Sequence, residues 1–116
     1  MDNKELEIIE HPGAGYFPVV KFGAWRVATA SLCERWKEGN TKFMERHMLT
    51  DEVFVLIKGK GSLFIGEKRT RVEMEIGKVY NVKKAVWHEM VLDEEALVLI
   101  VENDDTGKEN TEYCDF

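Results

Sequence analysis

A chain of 116 residues and 13.4 kDa has room for one compact domain, which excludes a two-domain enzyme. Apolar residues make up 44% and charged residues 33%, with three Trp, three Tyr and six Phe available for a core, so wholesale disorder is excluded as well. Sixteen Lys and Arg against twenty-two Asp and Glu leave a net charge of −6 with no strongly basic stretch, which makes nucleic acid a poor partner.

Met1 to Glu10 is acidic and lacks the basic start and apolar stretch of a secretory signal, so export is not expected. The two prolines, Pro12 and Pro18, follow near the start. Beyond Pro18, period-two alternation predicts about eight strands: Trp25 to Leu32, Thr41 to Met48, Glu52 to Lys58, Ser62 to Gly66, Arg71 to Ile76, Lys78 to Val82, Val86 to Leu92 and Ala96 to Glu102. Turn chemistry separates several of them. Gly59-Lys60-Gly61, Gly66-Glu67-Lys68 and Asp93-Glu94-Glu95 read as hairpin connections. Short antiparallel strands without a long amphipathic helix predict an all-β barrel or sandwich. Asp104 to Phe116 is polar, acidic and unpatterned, and is expected to pack loosely or to cover a barrel edge.

The longest apolar run, Ala96 to Val101, falls far short of the roughly 20 residues that span a bilayer, so no membrane segment is expected. Cys33 and Cys114 stand alone, without the spacing of a thiolate metal site or redox dithiol, and fit a reduced, cytoplasmic setting.

Three histidines occur, at 11, 47 and 88. Alternate side chains on a strand share a face, so Glu45 and His47 point the same way, with Cα atoms about 6.7 Å apart. The face of the next strand runs Glu52, Phe54, Leu56, and a later one runs His88, Met90, Leu92, an apolar series with an imidazole at its end. Two carboxylates and two imidazoles inside a barrel carry a large desolvation cost if unpaired. A divalent cation would neutralise the carboxylates. The mixed nitrogen and oxygen set suits manganese, iron, nickel, copper or zinc better than calcium or magnesium. Phe43, Phe54, Met90 and Leu92 on the same faces read first as core, and His11, outside the strand pattern, reads as a surface residue. No Ser-His-Asp or Cys-His nucleophile set and no Gly-rich phosphate loop is present.

The residues Glu45-Arg46-His47, Glu52 and Gly59, followed by Gly61, resemble the first motif of the small single-domain cupins, which pairs two His spaced by one residue with a Glu and then a Gly. Gly77, Lys83-Lys84-Ala85 and His88 resemble the second motif, with Lys83 where Pro is usual and Ala85 where Gly is usual. The resemblance runs from about Trp25 to Glu102. It implies one cupin-like domain over residues 1–116, a jelly-roll (double-stranded β-helix) barrel at about residues 19–103, a tail at 104–116, and a homodimer. It also implies ligand positions for His47, Glu52 and His88. Glu45 stands where the first His of the family normally sits. That leaves three alternatives: a two-His, two-Glu site, a two-His, one-carboxylate site, or a barrel that kept its shape without a metal.

The function that follows is a metal-binding cupin acting on a small polar metabolite, in which Glu45, if uncoordinated, moves a proton. The alternative is a module that senses a small ligand without turnover, with or without a metal. A third reading is a dimerisation domain whose barrel is plugged by Phe43, Phe54 and Leu56.

Overall fold

In the computed structural model, which describes residues 5–116, the chain is all-β apart from two single-turn 3-10 segments, Glu34–Trp36 and Lys108–Asn110. The strands are β1 (Gly15–Phe22), β2 (Trp25–Ser31), β3 (Phe43–His47), β4 (Glu52–Lys58), β5 (Gly61–Ile65), β6 (Thr70–Glu73), β7 (Val79–Val82), β8 (His88–Leu92), β9 (Leu97–Asn103) and β10 (Thr111–Asp115). They form two five-stranded antiparallel sheets, ordered β1-β2-β9-β4-β7 and β10-β3-β8-β5-β6. These enclose one core in the jelly-roll manner.

Alternation along each strand decides what faces that core. On β4, Glu52, Phe54 and Leu56 are buried while Val53 and Val55 are half-buried on the other face. On β9, Val98, Ile100 and Glu102 point inward. Leu56, Leu63, Leu92 and Val98 therefore fill one end of the barrel. The same inward faces end in Glu52, His88 and Glu102 at the other end, so each strand runs from apolar packing to a polar group. That gradient positions the site.

Two of the three turns read as hairpins prove to be crossings between sheets. Gly59-Lys60 joins β4 to β5 and Asp93-Glu94-Glu95 joins β8 to β9, each passing from one sheet to the other. The reason lies in their mutual packing. Gly59 has φ +75°, and a Cβ there would overlap the backbone of Glu95 and Ala96. Only Gly66-Glu67-Lys68 closes a true hairpin, between β5 and β6.

Two strands lie outside the pattern read from sequence. β1 is an edge strand containing Pro18, and its register with β2 shifts between Pro18 and Val20. The bulge breaks the alternation that would have marked it, and an edge tolerates the missing proline donor. β10 pairs with β3 from Thr111 opposite His47 to Asp115 opposite Phe43. The polar tail thus covers a sheet edge instead of packing loosely, and its pairing, not burial of its side chains, makes it a strand.

His11 also corrects the expectation of a free surface residue. It is half-buried, with Nδ1 2.7 Å from Thr29 Oγ1 and Nε2 2.8 Å from Ser31 Oγ, which fixes the segment before β1 to β2.

Candidate metal and ligand site

A cavity of about 280 Å³ lies between the sheets at the polar end of the barrel. The barrel is therefore not plugged: Phe54 forms part of the wall, and Leu56 lies deeper in the core. Glu45 and His47 reach the cavity from β3, Glu52 from β4 and His88 from β8. Pairing brings them together: Glu45 sits directly opposite His88 across the β3–β8 ladder.

Glu52 is the centre of the cluster. Its Oε1 lies 3.0 Å from His47 Nε2 and 2.8 Å from His88 Nε2. Burial opposes a charged carboxylate there, but the two imidazoles outweigh it and hold Glu52 well below the usual carboxylate range. For His88, burial would lower the imidazole, and the adjoining Glu52 carboxylate reverses the direction to a net rise.

The tautomer of His88 is set by its other nitrogen. Nδ1 lies 3.0 Å from the Val86 carbonyl oxygen, which can only accept, so Nδ1 carries the proton and the neutral ring turns the Nε2 lone pair toward Glu52. Glu52 Oε1 and His88 Nε2 are both buried and neither has a hydrogen-bond partner. Two lone pairs facing each other at 2.8 Å need a proton or a cation between them. This donor set fits a divalent transition metal, with His47 Nδ1 steadied from behind by Thr111 Oγ1 at 2.9 Å.

Two overlapping groups have ligand atoms within 4.8 Å of one another: Glu45, His47 and His88, and His47, Glu52 and Glu102. Glu45 Oε1 lies 3.7 Å from His47 Nε2, and its Oε2 lies 3.3 Å from the Arg35 guanidinium. Arg35 also donates from Nε to Glu89 Oε2 at 2.9 Å, so it bridges two carboxylates at the cavity wall.

Glu102 is the residue that sequence reading passed over. It is 6% exposed, accepts from Arg26 at 2.6 Å, and its carboxyl is pushed up to about 8 by burial and by the neighbouring charge of Glu52. The signal was available, since an acid ending the inward face Val98, Ile100, Glu102 is as anomalous as His88 ending its own. Arg26 lies directly opposite Glu102 on β2, and Tyr16 on β1 completes that wall of the cavity.

Lys83 and Lys84 lie outside this cluster, in the turn before β8, where Asp51 Oδ1 accepts from the Lys84 amide at 2.8 Å. Trp87 stacks with Arg46, whose guanidinium lies 4.4 Å from the ring centroid. Neither Cys33 nor Cys114 lines the cavity.

No protein-family model and no curated protein matches this sequence. Solved structures do match. A cupin-2 domain protein from Shewanella frigidimarina aligns with a TM-score of 0.60 and 18% identity over 83% of this chain and 84% of that one. A nucleoside dehydratase from Streptomyces aligns with a TM-score of 0.63 and 10% identity over 87% and 78%. A protein from Neisseria meningitidis gives 0.63 and 13% over 84% and 100%. Identities this low speak to fold alone and leave the chemistry to this chain's own residues. Its two jelly-roll sheets and these likenesses give the chain a cupin-like barrel fold.

Proposed function

We propose that this chain binds a divalent metal ion through His47, His88 and Glu52, with Glu45 as the fourth protein group, and acts on a small polar metabolite held in the cavity. The observation that carries the reading is the buried, unpartnered pair Glu52 Oε1 and His88 Nε2. Such an ion, when bound, supplies polarisation of a substrate oxygen. The chain's own residues supply the rest. Val86 and Thr111 orient the two imidazoles, Arg35 orients Glu45, and Phe54, Met90 and Ile100 supply the apolar part of the cavity wall. Glu45, where it is free of the ion, is the group positioned to take or return a substrate proton.

A second reading, ligand binding without turnover, has one specific observation in its favour. Glu45 is ion-paired with Arg35, which holds its carboxylate engaged at the cavity wall. Metal analysis of protein purified without added ions, beside a His47→Ala/His88→Ala double variant, tests the metal, which the first reading requires and the second can do without. Stoichiometric metal in the wild type that disappears in the double variant supports it. A wild type that takes up no transition metal under any loading condition removes it. Glu45→Gln then separates the two readings: a catalytic carboxylate is needed for turnover, whereas ligand affinity alone survives its loss.

A further inference from the structure

We propose that Glu102 is a further ligand of the metal centre, a carboxylate that lies outside the ligand positions of both sequence motifs and reaches the cluster from β9. The proposal rests on the reading of the cavity as a metal site and adds to it a residue that this reading does not use.

A buried acid at the end of a strand face needs a partner. Glu102 ends the inward face of β9 and is 6% exposed. Register brings a second acid to it. Val53 lies opposite Val101 and Phe54 opposite Ile100, so the β4–β9 ladder carries Glu52 to the place opposite Glu102. Like charges directly opposite one another weaken strand pairing, and here both are buried. A proton or a cation between them removes that conflict.

The two oxygens of Glu102 are engaged differently. Oε1 accepts from Arg26 Nη2 at 2.6 Å and from the Tyr16 hydroxyl at 3.3 Å. Oε2 is buried without a hydrogen-bond partner, although His47, Glu52 and Glu102 offer ligand atoms within 4.8 Å of one another. Glu45 follows the same plan, with Oε2 3.3 Å from the Arg35 guanidinium and Oε1 3.7 Å from His47 Nε2. Each of these carboxylates gives one oxygen to an arginine that fixes its direction, which is how ligand-orienting groups act on metal-binding side chains.

The choice between proton and cation follows from the atoms left over. Among the described residues, four buried side-chain atoms lack a hydrogen-bond partner, and three of them are Glu52 Oε1, His88 Nε2 and Glu102 Oε2. A proton shared by the two carboxyl groups answers for Glu102 but leaves the His88 Nε2 lone pair facing Glu52 Oε1 at 2.8 Å. One cation answers for all three. Metal ligands bind deprotonated, so the cation takes the place of the proton between the acids.

Cobalt(II) added to the stripped full chain tests the proposal, because its visible bands report the number of ligands as well as occupancy. Glu102→Gln keeps the side-chain volume, and its amide oxygen can still accept from Arg26, so the fold is expected to hold. Loss of a ligand is expected to weaken cobalt affinity by about tenfold or more and to strengthen the visible bands as coordination number falls. A carboxyl that only shares a proton with Glu52 gives the opposite result, since the glutamine amide can donate in its place. Affinity and spectrum then stay at their wild-type values, which overturns the proposal and leaves the metal site standing. If Glu102→Gln does not fold, Arg26→Met/Glu102→Met, in which neither charge is left without its partner, decides by the same two readouts. A wild type that binds no cobalt removes the metal reading and this inference together.

Discussion

The backbone amide of Ala85 donates to the carbonyl of His47 at 2.8 Å, and Ala85 makes this bond at φ +66°. The turn that leads into His88 is thereby tied to the strand that carries His47. The left-handed conformation costs an alanine roughly 1–2 kcal/mol, and replacing it with glycine returns about 0.5–1 kcal/mol of that as unfolded-chain entropy. Ala85→Gly is expected to stabilise the fold by roughly 0.5–1 kcal/mol. Urea denaturation checks it, and a destabilised variant would show that the Ala85 methyl contributes packing that its backbone angle does not suggest.

Gly59 shows the opposite case. A Cβ there would overlap the Glu95 and Ala96 backbone at the point where the two crossings between sheets pack together, and φ is already positive at +75°. Neither backbone can yield without moving a strand end. Gly59→Ala is expected to cost about 3 kcal/mol or more, at the upper end of single substitutions. A melting temperature within a degree or two of wild type would sink this account of the corner.

These two positions also show how far the sequence reaches. Eight strands were legible because their inward residues are mostly apolar and alternate, and the polar cluster at the cavity was legible because Glu45, His47, Glu52 and His88 interrupt those faces at motif spacing. β1 was not, because Pro18 and a bulge disrupt its period, and β10 was not, because an edge strand held by backbone pairing buries little of its side chains. The turn residues at Gly59 and Asp93 announced sharp corners correctly, but a local signal cannot say whether a corner returns to the same sheet or leaves it. Glu102 was missed for another reason. Its inward place at the end of the Val98, Ile100 face was a local signal, but its partner Arg26 is 76 residues away in sequence, so nothing local tied it to the cluster.

Arg26 supports the far wall of the cavity and gives the third prediction. It donates to Glu102 at 2.6 Å, to the Tyr16 hydroxyl at 3.2 Å, and to the carbonyls of Asp104 and Thr106 at 3.1 and 3.2 Å. It therefore fastens the segment that leads to β10 onto the barrel. Arg26→Met leaves several of these acceptors without a donor, and is expected to cost about 2–4 kcal/mol. Adding Glu102→Met should restore part of that loss, since residues in one hydrogen-bonded network are not additive. Strictly additive costs in denaturant titrations would show that the two side chains act separately.

The Arg35–Glu45 contact decides a fourth expectation. Arg35 holds Glu45 Oε2 at 3.3 Å while Oε1 stays 3.7 Å from His47 Nε2, so one oxygen is anchored and the other remains at the cluster. With Glu45 as a metal-binding group, Glu45→Gln should weaken metal affinity by about 10–100-fold, and Arg35→Met, which removes the anchor of Glu45 and the partner of Glu89 but no ligand atom, by about tenfold or less. Competition titration against a chelating dye measures both. An order reversed between the two variants would assign Arg35 a direct part in anion binding and leave Glu45 outside the coordination set.

Metal removal provides the last test, because it couples the site to the fold. His47 lies on β3, Glu52 on β4 and His88 on β8, so one ion held by all three would join the two sheets. Anything bound only by the folded chain stabilises it, by about 2.7 kcal/mol at a free concentration a hundredfold above its dissociation constant. For a domain of this length each kcal/mol moves the midpoint by about 3–6 °C. Transition metal added to stripped protein should therefore raise the melting temperature by about 10 °C, and excess chelator should reverse it. His88→Ala should abolish the response, because it removes the nitrogen that faces Glu52 Oε1 at 2.8 Å. A melting temperature unmoved by metal in the wild type would remove the ion as a link between sheets. A His88→Ala variant far less stable than stripped wild type would show that the Glu52–His88 pair is a stabilising contact without the ion.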